Sequence, residues 1–99
     1  MAVVAHVVLR GVSREQYDQV RAETGWLERT PEGGLAHVTW WEGNDNHNID
    51  AWESEAAFNA FGADRLGPAM GKLGINVQPE VTFHDAHEVF TPKVLRLTK

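Results

Sequence analysis

Ten residues, Ile49 to Phe58 (I-D-A-W-E-S-E-A-A-F), constrain the fold more than any other stretch, because a strand runs straight into a helix there. Alternation with period two puts Asp50 and Trp52 on one strand face and Ile49 and Ala51 on the other. Ser54 stands where a helix N-cap belongs, its hydroxyl ready to accept from a free backbone N–H of the first turn. Glu53 and Glu55 flank it, and negative charge is favourable at a helix N-terminus. A carboxylate and an indole therefore leave a strand beneath an apolar helix, which is how a small fold makes a pocket.

Upstream, Ala2 to Leu9 (A-V-V-A-H-V-V-L) is a β-branched run that reads as a buried strand, with Val3, Ala5, Val7 and Leu9 on one face and Val4, His6 and Val8 on the other. Ser13-Arg14-Glu15-Gln16 fits a capping box. The helix behind it carries Tyr17, Val20, Thr24 and Leu27 at helical spacing, with Trp26 beside them. Residues 28–34 contain Pro31, Gly33 and Gly34 and read as a loop.

Leu35 to Glu42 is a second strand, and Gly43-Asn44-Asp45-Asn46 is turn chemistry. A tight turn centred on Asn44-Asp45 pairs Glu42 with His47, Thr39 with Asp50, and His37 with Trp52. His37, Thr39, Trp41, Asp50 and Trp52 then share one face. The second helix runs from Glu55 to about Leu66 with Phe58, Phe61 and Leu66 as its apolar stripe, and Arg65 one turn beyond Phe61 on nearly the same face. Gly67-Pro68 restarts a short helix that Gly74 stops. Pro79 to Phe90 is the last strand, with Val81, Phe83, Asp85, His87 and Val89 on one side.

The order β-α-β-β-α-β is the split pattern of an α+β, ferredoxin-like sandwich: a four-stranded antiparallel sheet in the order 4-1-3-2. Helices cover one face. Both faces of the first strand are rich in valine, so the second face must also be buried, and a second copy of the chain is the economical cover. The expectation is one domain over residues 1–99 in a homodimer, with residues 91–99 a basic, amphipathic C-terminal arm. At 99 residues such a domain buries roughly 65% of its unfolded surface.

Charge and composition exclude several function classes. Fourteen acidic residues against nine basic ones give a net charge of −5, and no basic stripe offers to displace counterions from a nucleic acid. With no cysteine there is no disulfide, thiol nucleophile or thiolate metal site. No apolar run is long enough for a membrane span or signal peptide. The chain reads as a cytoplasmic protein whose partner is a small molecule.

Its best constellation for chemistry is His37 and Asp50 beside Trp52. An imidazole titrates near neutrality and suits abstraction of a proton from a phenol or activated carbon. A neighbouring carboxylate raises its basicity, and an indole packs an aromatic ring. His6, on the strand next to the third, is a further candidate base able to join Asp50 across the ladder; the alternative is that it faces the dimer barrel. Trp41, Thr39, Phe61, Arg65 and His87 complete the expected substrate-binding set, with Arg65 placed to meet a carboxylate or enolate. Tyr17, Trp26, Trp40 and Phe90 read as core or interface. A metal cluster of His6, His37 and Asp50 has no spacing motif behind it, so neither metal nor cofactor is expected.

The chain resembles the dimeric α/β-barrel superfamily, and within it the antibiotic-biosynthesis-monooxygenase-like small proteins. The likeness rests on Trp52-Glu53-Ser54-Glu55 leading into Phe58 and Phe61, on Gly33-Gly34-Leu35-Ala36-His37, on Arg65-Leu66-Gly67-Pro68-Ala69, and on Val81 to Phe90. It implies a tryptophan, here Trp52, lining a pocket between sheet and helices. It also implies cofactor-independent monooxygenation of an aromatic or enolisable substrate, the carbanion meeting oxygen. An isomerase or cyclase on the same scaffold, or a non-catalytic dimer that binds a ligand (heme or a metal being the less favoured ones), are the alternatives. Heme-degrading relatives use a histidine on the second helix; none lies between Asp50 and Leu73 in this sequence.

Overall fold

Alternation on β1 (Val3–Leu9) buries Val3, Ala5, Val7 and Leu9 under the helices, and this central strand carries the core. The computed structural model describes residues 1–93 and 95–98. After β1 come α1 (Arg14–Thr24), β2 (Gly34–Glu42), β3 (Asp45–Trp52), α2 (Glu55–Phe61), a π turn (Gly62–Leu66), α3 (Gly67–Lys72) and β4 (Glu80–Asp85). The sheet is antiparallel in the order β2-β3-β1-β4, a ferredoxin-like α+β arrangement as the element order predicts. Val20 of α1, Phe58 and Phe61 of α2 and Met70 of α3 close the core over it.

The two strong caps form as the sequence dictates. Ser13 accepts from Gln16 N–H while the Gln16 side chain accepts from Ser13 N–H, and Ser54 accepts from Ala57 N–H. Gly25 ends α1 at φ 61°, a left-handed conformation that costs a glycine little. The helix thus stops three residues earlier than its apolar spacing suggests, and Leu27 is 48% exposed instead of buried.

The β2–β3 hairpin corrects the expected register by two residues. Gly43 and Asn44, not Asn44 and Asp45, are the central turn residues, because Gly43 alone takes a positive φ (62°), the requirement at the first position of a type II′ turn. Glu42 faces Asp45, Thr39 faces Asn48 and His37 faces Asp50. A slip of two residues leaves every side chain on its original face. A bulge between Gly34 and Ala36 then brings Gly34 opposite Trp52.

The second helical region does not break at Gly67-Pro68. The Gly67 N–H reaches back five residues to the Gly62 carbonyl, and the chain passes through a π turn directly into α3. Pro68 has no N–H for the ladder, and the wider turn absorbs the mismatch. Nor does β4 extend to Phe90: it ends at Asp85, and residues 86–93 form no strand. No helix among the described residues is long and apolar enough to cross a membrane.

Candidate active site

On the helix-covered side of the sheet four side chains form one line of hydrogen bonds. Asp50, 5% exposed, accepts at Oδ1 from His37 Nδ1 (2.6 Å) and at Oδ2 from the indole N–H of Trp52 (3.2 Å). At the far side of the imidazole, the Tyr17 hydroxyl lies 2.6 Å from His37 Nε2. A carboxylate only accepts and an indole N–H only donates, so the proton between His37 and Asp50 sits on Nδ1. Nε2 is then left with a lone pair, which receives the Tyr17 O–H.

Each member is positioned by a different element. Register places His37 of β2 opposite Asp50 of β3, and period two puts Trp52 next on the same face. Tyr17 comes from the middle of α1, its ring stacked on His37 at 5.9 Å and meeting Trp41 edge-on at 5.6 Å. Burial, first of all, pushes the Tyr17 phenol up to about 12, and the charge of Arg21 pulls against it. Arg21 lies one turn along α1 from Tyr17, and its Nη1 is buried without a partner among the described residues.

The structure places the other expected site residues as follows. Trp52 is fully buried: Trp26, Phe58 and Phe61 pack around it at 6.0, 5.6 and 5.4 Å. Its place is therefore to hold Asp50, not to line an open pocket, because aromatic side chains fill the space beside it. Phe61 belongs to that packing. Thr39 accepts from Asn46 Nδ2 and donates to the His47 carbonyl. Trp41 donates to the Val12 carbonyl at 2.8 Å, and its other side lines a depression of about 370 Å³ with Arg14 and Asn44.

Three residues lie away from the line. His6 points to the opposite sheet face, where its ring meets His47 (Nε2 to Nδ1, 3.1 Å) and stacks on Trp40. It pairs with Ile49, whereas Ala5 faces Asp50, so strand parity separates it from the carboxylate. His87 is exposed beyond the end of β4. Arg65, projecting from the π turn, donates through Nε (3.2 Å) and Nη2 to the Thr24 carbonyl, capping α1 instead of reaching His37.

Tyr17 and Arg21 were not expected at the site; a lone tyrosine on an amphipathic helix carries no mark of its partner. Asn46 and Asn48 were also missed, although their parity with Asp50 was a usable signal. Both are buried, Asn48 donates to Asn46 Oδ1 and the Val7 carbonyl, and its own Oδ1 has no partner among the described residues. The line opens to solvent at its Tyr17–His37 end: Tyr17 is half-buried, and the His37 side chain stays 27% exposed on edge strand β2, with Tyr17 and Trp26 against its ring. Among the described residues no cluster of three or more histidine, aspartate or glutamate side chains is arranged to hold a metal.

Among solved structures, SnoaB, a cofactor-independent oxygenase from Streptomyces nogalater, superposes with a TM-score of 0.60 at 21% identity, over 93% of this chain and 96% of that one. A monooxygenase from the gene ActVA-Orf6 of Streptomyces coelicolor, solved with Nanaomycin D, gives 0.61 at 24% identity, over 93% of both chains. The same fold is found in structures described as putative antibiotic biosynthesis monooxygenases from Deinococcus radiodurans and Caulobacter crescentus. It also matches NE2512, a protein of unknown function from Nitrosomonas europaea, with a TM-score of 0.70 at 14% identity over 94% of this chain and 96% of that one. No family model matches the sequence, and no curated protein does. At these identities the likeness to the monooxygenases is one of fold.

Proposed function

We propose that this chain is a cofactor-independent monooxygenase-like enzyme that deprotonates a compact aromatic or enolisable substrate with His37 as the base, acting through Tyr17. The line from Asp50 through His37 to Tyr17 carries this reading. A buried carboxylate is expensive to keep in a core, and a hydrogen-bonded imidazole open to solvent gives it a use. Oxygenases of the same fold add support.

In the proposed reaction Tyr17, held protonated at neutral pH, passes its proton to His37 Nε2 as it takes one from the substrate. Asp50 stabilises the imidazolium that results, and Trp52 fixes Asp50. The substrate carbanion itself reduces oxygen: carbon bonds to dioxygen, the peroxide takes up the abstracted proton, and loss of water leaves a carbonyl. Arg21 offsets negative charge at the Tyr17 end.

The enzyme works as a homodimer in which a second copy covers the helix-free sheet face. That face carries Trp40, Ile49 and Val38, the last 60% exposed. Oxygen uptake with a hydroxyanthrone as probe tests the catalytic reading. His37→Ala and Tyr17→Phe should each lower turnover about a hundredfold or more while circular dichroism stays native. Folded variants that consume oxygen at the parental rate refute it.

A further inference from the structure

Away from the line, the C-terminal end of α1 meets the π turn and α3 around a cleft of about 200 Å³. Its charged wall is Glu23, Arg29, Asp64, Arg65 and Lys72. Two guanidinium groups converge there. A methyl group placed on Gly25 would stand 3.6 Å from Arg29 Nε, 3.8 Å from Arg29 Nη2 and 3.9 Å from Arg65 Nη2. Arg65 is tethered by its two bonds to the Thr24 carbonyl, so it cannot swing away without uncapping α1. Burial, and then the charge of Arg29, holds its pKa below the usual arginine value.

The acids nearby do not neutralise this pair. Glu23 is engaged by Lys72 at 2.9 Å, and among the described residues neither arginine forms an ion pair. Asp64 lines the same wall but bonds to neither. In a chain with 14 acidic residues and 9 basic ones, two unneutralised arginines side by side are not a matter of composition. Like charges at short range repel, and an anion between them removes the repulsion.

We propose that this cleft binds a phosphate group in the fork between Arg29 and Arg65. A guanidinium edge presents paired N–H donors that match a tetrahedral oxyanion; Arg29 offers such an edge, and Arg65, whose Nε and Nη2 already meet the Thr24 carbonyl, adds the donors of Nη1. The cleft is smaller than the roughly 300 Å³ at which sites for whole organic ligands begin. Its occupant is therefore a free phosphate or the phosphorylated end of a longer molecule. The site stands apart from His37 and does not depend on the proposed chemistry.

The test is a phosphorus NMR titration of the whole chain with inorganic phosphate, at ionic strength matched with chloride. Saturable broadening is expected. Arg29→Gln, at a side chain with no hydrogen bond or ion pair among the described residues, should weaken binding about tenfold or more. Arg96→Gln removes the same charge from the tail and should leave binding unchanged. A parallel titration with phenyl phosphate separates the two sources: tighter binding than phosphate identifies a phosphorylated end, equal or weaker binding a free ion. Non-saturating behaviour, or an Arg29→Gln protein that binds like the parent, overturns the proposal.

Discussion

Replacing Asp50 by Asn exchanges one oxygen for an NH₂ and should reverse both hydrogen bonds made by the His37 ring. Trp52 Nε1–H is a donor only and lies fully buried, so the new amide must turn its oxygen toward the indole. Its NH₂ then faces His37 Nδ1, where Asp50 Oδ1 accepts at 2.6 Å in the parent. Two donors cannot share that gap, so the imidazole must move its proton to Nε2. The base at Nε2 disappears, and Tyr17 becomes the acceptor of that bond. The exchange gives up a charge-assisted bond for a neutral one, a loss of about 1–2 kcal/mol. For a domain of this size that lowers the melting temperature by roughly 4–15 °C. Turnover of any substrate deprotonated at His37 should fall about 10²–10⁴-fold. Long-range proton–nitrogen correlation spectra read the His37 tautomer directly: Nδ1–H in the parent, Nε2–H in the variant. An Asp50→Asn protein that keeps the Nδ1–H tautomer would show that Asp50 does not set it.

The structure sets three further expected outcomes. Tyr17 is the only tyrosine, so absorbance at the phenolate band reports its titration alone, with a midpoint near 12. Because its folded pKa lies above the unfolded value of about 10, the folded state holds the proton longer, and the contribution to stability is present below pH 10 and lost as the pH rises toward 12; a midpoint at 10 contradicts the buried phenol. Ser54→Ala removes the cap that accepts from Ala57 N–H at 3.0 Å and should cost about 1 kcal/mol in urea unfolding, with no change in slope. Trp40→Glu puts a charge in the middle of the helix-free face and should turn the proposed dimer into a monomer in sedimentation equilibrium, while a parent protein that already sediments as a monomer removes the dimer from the reading.

Much of the fold was legible because its signals are local. A serine before Glu55, a capping box at Ser13 and valines alternating along β1 each act within a few residues, and β-α-β-β-α-β has few ways to close. The face shared by His37, Asp50 and Trp52 was legible for a related reason. Strand parity survives a slip of two residues, so a turn placed one position too far along still gave the right companions. Elements whose limits depend on capping or on missing N–H groups read less well: α1 stops at Gly25, and β4 stops at Asp85, leaving His87 outside the sheet.

What the sequence alone determined is therefore the order of elements, their caps and which strand side chains share a face. Tertiary packing alone decided how each helix is rotated and shifted over the sheet. That phase puts the Tyr17 hydroxyl on His37 Nε2, fills the space beside Trp52 with Trp26, Phe58 and Phe61, and turns Arg65 toward Arg29 instead of the imidazole. The physical reason lies in the two periods. A strand's period of two leaves each side chain only two choices, whereas the angle of a helix about its own axis is continuous and is fixed only when its side chains settle into the grooves of the sheet below.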